Sequence, residues 1–395
     1  MVKAASEQPG DRKTKQQQRA IVLSSLIAAV MAPLTAQIAH AADENWTGTT
    51  GNWVDTTWSP DSAAPGATTG TTNADTATFN SAGGTITVDA NRNIKNISFD
   101  GNNSAYILSG GNLLLSANGL IQTVNGGTNH TDTVNTAITL EGNYTFGGNS
   151  STAGRGLTFG TLATITSAAT SGVTTLTLNG TTTAANNLLS GNISNGTGTN
   201  TVAISKSGAG TWTLSGANTF SGGTALSAGT LLIGNDAGVG TGTLTLGGGT
   251  FGATGATRSV SNAVVVTAST TTTLQGDAFL NFNGKLSGSG TLNIGSGGFA
   301  FGNTAVNSST SSTSGGFTGT LSVGATMGFN SPNTGNGADY SGCHECNLRC
   351  GRRPHHVAAG NARKSADGDP RKRAKRAGCG VNVVCLSGKS SKRTT

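Results

Sequence analysis

Through the middle of the chain, apolar and polar residues alternate in short runs, and each run opens with Gly-Thr. The runs are Gly84-Thr-Ile-Thr-Val88, Gly210-Thr-Trp-Thr-Leu214, Gly229-Thr-Leu-Leu-Ile233, Gly242-Thr-Leu-Thr-Leu246, Gly290-Thr-Leu-Asn-Ile294 and Gly319-Thr-Leu-Ser-Val323. A period of two is the geometry of a β-strand, with successive side chains on opposite faces. Each run therefore predicts one turn and one strand. Trp212, Leu214, Leu231, Ile233, Leu244 and Leu246 are expected to face a core, and the threonines between them the other side. Helix is excluded. Thr and Val disfavour it, an interior glycine costs about 1 kcal/mol, and no long window carries an i, i+3, i+4 apolar stripe.

Strands this short cannot bury an apolar face alone. Stacking successive turns of chain solves that problem while pairing the backbone groups everywhere except at the ends. The predicted fold class is therefore all-β, a right-handed parallel β-helix (a β-solenoid). The uneven spacing of the runs reads as degenerate repeats with loops inserted between strands. At about 20 residues per turn and ~4.8 Å per turn, some 300 residues would make ~15 turns and a rod of the order of 70 Å. An array of β-sandwiches, with strands every 8–12 residues, is the rival arrangement.

Composition changes the picture mainly by subtraction. Charged residues are 10% of the chain and aromatics 5%, against about 25% charged for an average soluble domain, so few side chains are suited to catalysis. The net charge of +7 suggests nucleic acid until it is divided along the chain. Residues 1–41 carry +3, residues 42–342 carry −6, and residues 343–395 carry +10 together with all five cysteines. Basicity and cysteine are properties of the tail alone.

The first 41 residues read as a signal peptide. A basic start is followed by the apolar run 20–32, too short for a bilayer core, and then by Ala39-His40-Ala41, with cleavage expected after Ala41. The domain plan is thus 1–41 signal peptide, 42–342 β-helical body and 343–395 basic, cysteine-containing tail.

One stretch resembles a known family. Lys206-Ser-Gly-Ala-Gly-Thr-Trp-Thr-Leu-Ser-Gly-Ala-Asn-Thr-Phe-Ser-Gly-Gly-Thr224, running on through Gly234 to Leu246, is similar to the autotransporter-associated β-strand repeat, with its best copy at 206–251. Trp46-Thr-Gly, Gly51-Asn-Trp53, Trp58 and Ala74-Asp-Thr-Ala-Thr-Phe79 resemble the amino-terminal module that often precedes such repeats. The resemblance implies a secreted or cell-surface passenger domain of β-helical fold, normally followed by an outer-membrane β-barrel or a sorting anchor. After Tyr340, where Trp, Tyr and Phe are absent, the sequence carries neither signature.

Candidate chemistry is sparse. A polysaccharide-cleaving β-helix would need clustered carboxylates, and Asp89, Asp100, Asp132 and Glu141 are the ones whose placement would decide that reading. Asp89, Arg92, Lys95 and Asp100 form the densest charged stretch and read as solvated turn residues. His130 has no second His or Cys nearby in sequence. Gly234-Asn-Asp-Ala-Gly238 reads as an ordinary turn, and Asn143-Tyr-Thr145 as a chance sequon. In the tail, Cys343, Cys346, Cys350, His355 and His356 imitate half a zinc site, Arg371–Arg376 a nucleic-acid patch and Gly388-Lys389-Ser390 a P-loop. All three conflict with an exported rod. Shifting the reading frame of 343–348 by one nucleotide restores an alternating strand pattern, so the tail reads as out of frame. A genuine disordered basic tail and a metal or nucleic-acid module stand as alternatives.

No catalytic, cofactor-binding or metal-ligating residue is assigned, and no cofactor. The expected function is an extracellular or cell-surface structural or adhesive rod without enzymatic activity. The alternative is a secreted carbohydrate-active β-helix. The expected partner is a surface polysaccharide or a ligand on a host or neighbouring cell, not nucleic acid, with no membrane anchor in the chain.

Overall fold

The computed structural model describes residues 43–100, 104–124, 129–150, 154–183, 187–301, 317–323, 327–329, 346–349 and 382–385. Among these there is no helix. The signal peptide expected at 1–41 lies outside the described residues.

From residue 43 onward the chain winds as a parallel β-solenoid, and each turn supplies up to three short strands to three ladders. The first ladder runs from Asp43–Trp46 and Thr76–Phe79 through Tyr144–Gly148, Val173–Gly180 and Thr201–Lys206 to Thr224–Leu226, Leu244–Leu246, Val264–Val266 and Leu286–Gly288. The second includes Gly84–Val88, Gly156–Phe159, Asn187–Leu189, Thr211–Leu214, Thr230–Ile233, Thr250–Ala253, Thr291–Ile294 and Thr320–Val323. The third joins 92–94, 113–115, 138–140 and Ile165–Ser167, and it reappears as Arg258–Val260, Leu280–Phe282, Phe299–Phe301 and Met327–Phe329. The long strand Tyr106–Thr123 contributes to all three in succession.

The core is a set of vertical columns. In the second ladder Ile86, Leu108, Val134, Phe159, Leu189, Leu214, Ile233 and Ala253 lie directly above one another, and none has exposed surface. The six residues expected to face inward, Trp212 to Leu246, are all fully buried. Successive residues of this column are 19 to 30 positions apart, so the 20-residue turn holds at the best repeat and at some other turns, such as Thr76 to Asn96 and Thr271 to Thr291, but not throughout. Among the described residues the turns are correspondingly fewer than the fifteen expected. The uneven spacing of the Gly-Thr runs also has a different cause from loop insertion alone. Thr230–Ile233 stands in the second ladder and Leu244–Leu246 in the first, so the gap between them is a step around the solenoid, not a full turn.

Buried asparagines carry hydrogen bonds between turns at the start of a strand, as Asn187 does, and between strands, as Asn218 does. Asn187 accepts from the Leu157 amide at 3.1 Å and donates to the Thr211 carbonyl at 3.0 Å. Asn218 does the same between Ile193 and Gly238, at 2.8 and 2.7 Å. A side-chain amide offers the same donor and acceptor as a peptide group, so the backbone groups it meets on the neighbouring turns stay satisfied.

Aromatic residues fill the amino-terminal end. Trp46 and Trp58 pair antiparallel and meet edge to face at 5.1 Å, and Trp53 and Phe79 lie within 5.6 Å of this pair or of each other. The Trp53 and Trp58 indoles donate to the Pro65 and Trp53 carbonyls at 2.9 and 2.7 Å, which removes the polar cost of burying them. In the tail, the strands Cys346–Arg349 and Asn382–Cys385 pair antiparallel. The rest of 343–395, including Cys343, Cys350, His355, His356, Arg371–Arg376 and Gly388–Ser390, lies outside the described residues.

Candidate functional site

In the strand Thr201–Lys206, alternation puts Val202, Ile204 and Lys206 on one face, and that face is the interior. Lys206 stands in the first-ladder column between Leu178 and Leu226 and has no exposed surface. Its ammonium donates to the carbonyls of Ser207 at 2.8 Å, Gly208 at 2.9 Å and Ala228 at 3.1 Å. All three donors of the ammonium are therefore used, and the last bond ties one turn to the next. Burial lowers the Lys206 pKa to about 8. The bonding requires a close approach by Gly229, whose φ is +65° and where a Cβ would lie 2.6 Å from the Lys206 Nζ. Trp212, one strand later, reaches back to the Asn179 carbonyl at 2.9 Å. The segment is thus cross-linked to the turns on both sides.

A second buried charge cluster lies where the first ladder passes into the second. Asp132 and Arg155 have no exposed surface and pair at 3.1 Å. Arg155 also donates to the carbonyls of Val124 at 2.8 Å and Phe99 at 2.9 Å, from the two preceding turns. The Tyr106 amide donates to Asp132 at 3.0 Å, and His130 Nε2 is 3.7 Å from its carboxylate. Burial pushes the Asp132 carboxyl up, opposed by the Tyr106 amide and the Arg155 guanidinium.

The third polar group fastens the loop 60–75 over the third ladder. Arg92 holds Asp89 at 2.7 Å and donates to the carbonyls of Pro65 and Gly66 at 3.3 and 2.9 Å, while Asn93 and Ala67 exchange backbone hydrogen bonds. Asn93 Nδ2 donates to Glu141 at 2.8 Å and Ser116 donates to the same oxygen at 3.4 Å; Ser116 accepts from the Asn73 amide at 2.8 Å. Burial raises the Glu141 pKa, against the lowering effect of Asn93 and Ser116.

Three of the four carboxylates whose placement bears on glycoside chemistry are engaged by other side chains of the solenoid. Asp132 is sealed inside, Asp89 is engaged by Arg92, and Glu141 lies at the other end of the third ladder from Asp89, bound to Asn93 and Ser116. Asp100 follows the first-ladder strand that ends at Phe99. Lys95 contributes its carbonyl to the Tyr144 hydroxyl at 2.6 Å. The turn 234–238 is closed by Asn235, with Asp236 accepting from the Ser259 amide at 3.1 Å, and Asn143 accepts from the Thr175 amide at 2.8 Å.

Lys206, Asp132 and Arg155 are the residues whose burial a count of charges misses. The signal lay in the alternation itself, since Lys206 follows Val202 and Ile204, and Asp132 precedes Val134, Ile138 and Leu140, on the apolar side of their strands.

Sequence comparison places this geometry. Residues 204–233 match the passenger-associated-transport-repeat family. No curated protein and no solved structure gives a match. The matched segment begins two residues before the buried Lys206 and ends with Ile233, which stacks on Leu214. A passenger-associated transport repeat set in register within a parallel β-solenoid fits an autotransporter passenger repeat protein.

Proposed function

We propose that the chain is the exported passenger rod of an autotransporter-type protein, with a structural or adhesive role at the cell surface and no catalysis. The observation that carries this reading is the transport repeat at 204–233, continuous in register with the ladders before and after it. Residues 42–342 contain no cysteine, so no disulfide within them obstructs passage through an export pore. Contacts pass mainly from turn to turn, so the body can fold progressively from one end. The buried charges described above bind backbone carbonyls and amides of neighbouring turns, a use that is structural. The partner is a surface polysaccharide or a ligand on a host or neighbouring cell.

The test is expression of the full chain in a diderm bacterium, followed by fractionation and incubation of the purified product with polysaccharides and with whole cells. Export with loss of residues 1–41, and retention on cells or glycans without release of reducing ends, supports the reading. Full-length protein held in the cytoplasm, or release of new reducing ends or unsaturated sugars, overturns it.

A further inference from the structure

The strand Val173–Gly180 pairs with Thr201–Lys206 in the register Leu178↔Lys206. Continued by one step, that register hands the Gly180 amide to the carbonyl of Ser207. That carbonyl and the next one, of Gly208, are instead drawn inward by the Lys206 ammonium at 2.8 and 2.9 Å. The Gly180 amide turns to the side chain before it, donating to Asn179 Oδ1 at 2.7 Å. This brings the backbone nitrogen of residue 180 against the side-chain carboxamide of residue 179. Asn179 Oδ1 is also packed on the Gly208 backbone, where a Cβ would collide with it, so the carboxamide is held in place. Gly180 has φ of +117°, which only glycine adopts without strain, and it presents no side chain to block the approach. Asn179 is solvent-exposed, so water has access to the product.

We propose that Asn179–Gly180 is a self-modification site, at which the chain forms a succinimide and loses ammonia. Hydroxide removes the Gly180 amide proton, the nitrogen attacks Asn179 Cγ, and an N–Cγ bond forms. The Cγ–Nδ2 bond then breaks and the amide nitrogen leaves as ammonia after taking up a proton. Water opens the ring at either carbonyl, leaving an aspartyl or an iso-aspartyl residue at position 179. No oxidant or cofactor is needed. The advantage over Asn195–Gly196 is proximity, because the Gly180 nitrogen already lies 2.7 Å from Oδ1 of the carboxamide whose Cγ it attacks. At Asn195–Gly196 the side-chain oxygen is instead engaged by the Val202 and Ser221 amides at 2.9 and 3.1 Å, which makes that pair the internal reference. The iso-aspartyl product lengthens the backbone by one methylene in the strand that contacts the transport repeat, so modification marks and loosens that turn.

The experiment incubates the full folded chain in ¹⁸O-water at about pH 8.5 and follows label and mass at each asparagine by peptide fragmentation. Labelling at Asn179 should exceed that at Asn195 by about tenfold. Denaturation in urea should bring the two rates together. N179Q should abolish the label at that position, because its longer side chain closes a less favourable ring. K206M, if folded, should bring the residue 179 rate down toward that of Asn195; if it does not fold, the comparison with Asn195 and N179Q carries the test. Equal or slower labelling at Asn179 in the folded chain overturns the proposal. An unchanged rate in folded K206M overturns the positioning role of Lys206.

Discussion

Asp132 and Arg155 sit 3.1 Å apart in the interior, one turn from each other, and neither side chain has exposed surface. Arg155 spends its remaining reach on the Phe99 and Val124 carbonyls, so the pair clamps three turns where the first ladder gives way to the second. Removing one partner leaves a buried charge uncompensated, which costs about 3–5 kcal/mol. R155M and D132N should each lower the stability measured by urea unfolding by an amount in that range. The double variant D132L/R155M should recover part of the loss, since no charge is then stranded. Additive losses in the double variant would show that the two residues act independently.

Leu244 lies in the first ladder between Thr224 and Val264 with no exposed surface. L244D places an unpaired carboxylate in that column and should cost several kcal/mol, of the order of 4–5. Differential scanning calorimetry that shows an unchanged melting temperature would take Leu244 out of the core.

Lys206 titrates at about 8 in the folded chain, below its ordinary value of 10.5. Between those two values the unfolded chain binds more protons than the folded one, so stability rises with pH across that window. Urea midpoints collected from about pH 7 to 10.5 should increase for the wild type. K206M should lack this component, and identical slopes in the two proteins would contradict the burial of the ammonium.

Glu141 behaves in the opposite sense. Its carboxyl is raised by burial, so the folded chain holds the proton to higher pH than the unfolded chain. Its contribution to stability is present at low pH and is lost as pH rises through the raised value. E141Q keeps an acceptor for Asn93 Nδ2 but cannot ionise, and its unfolding curve should flatten over the carboxylate range relative to wild type. A steeper curve for E141Q would reverse the assignment.

The alternation of Gly-Thr-Leu-Thr-Leu246 and its relatives determined strand type, strand position and the inward residues, because period two leaves one face no alternative to burial. It also required the strands to stack on others, since strands of three to five residues cannot form a core singly, but that they stack in parallel turns and not as β-sandwiches is shown by the ladders themselves. Trp212 and Leu246 could be placed in the interior from that alternation alone.

What tertiary structure decided is which ladder each strand joins and what a buried polar group does there. Leu231 and Leu244 look like successive repeats in sequence yet stand in different ladders, because a triangular turn uses the same local pattern on more than one side. Lys206 and Asp132 share the apolar phase of their strands, but their burial depends on Ala228 and Arg155, which come from the next turn. A charge is tolerated inside only where another part of the chain supplies its hydrogen bonds. That complement exists only once the turns are stacked.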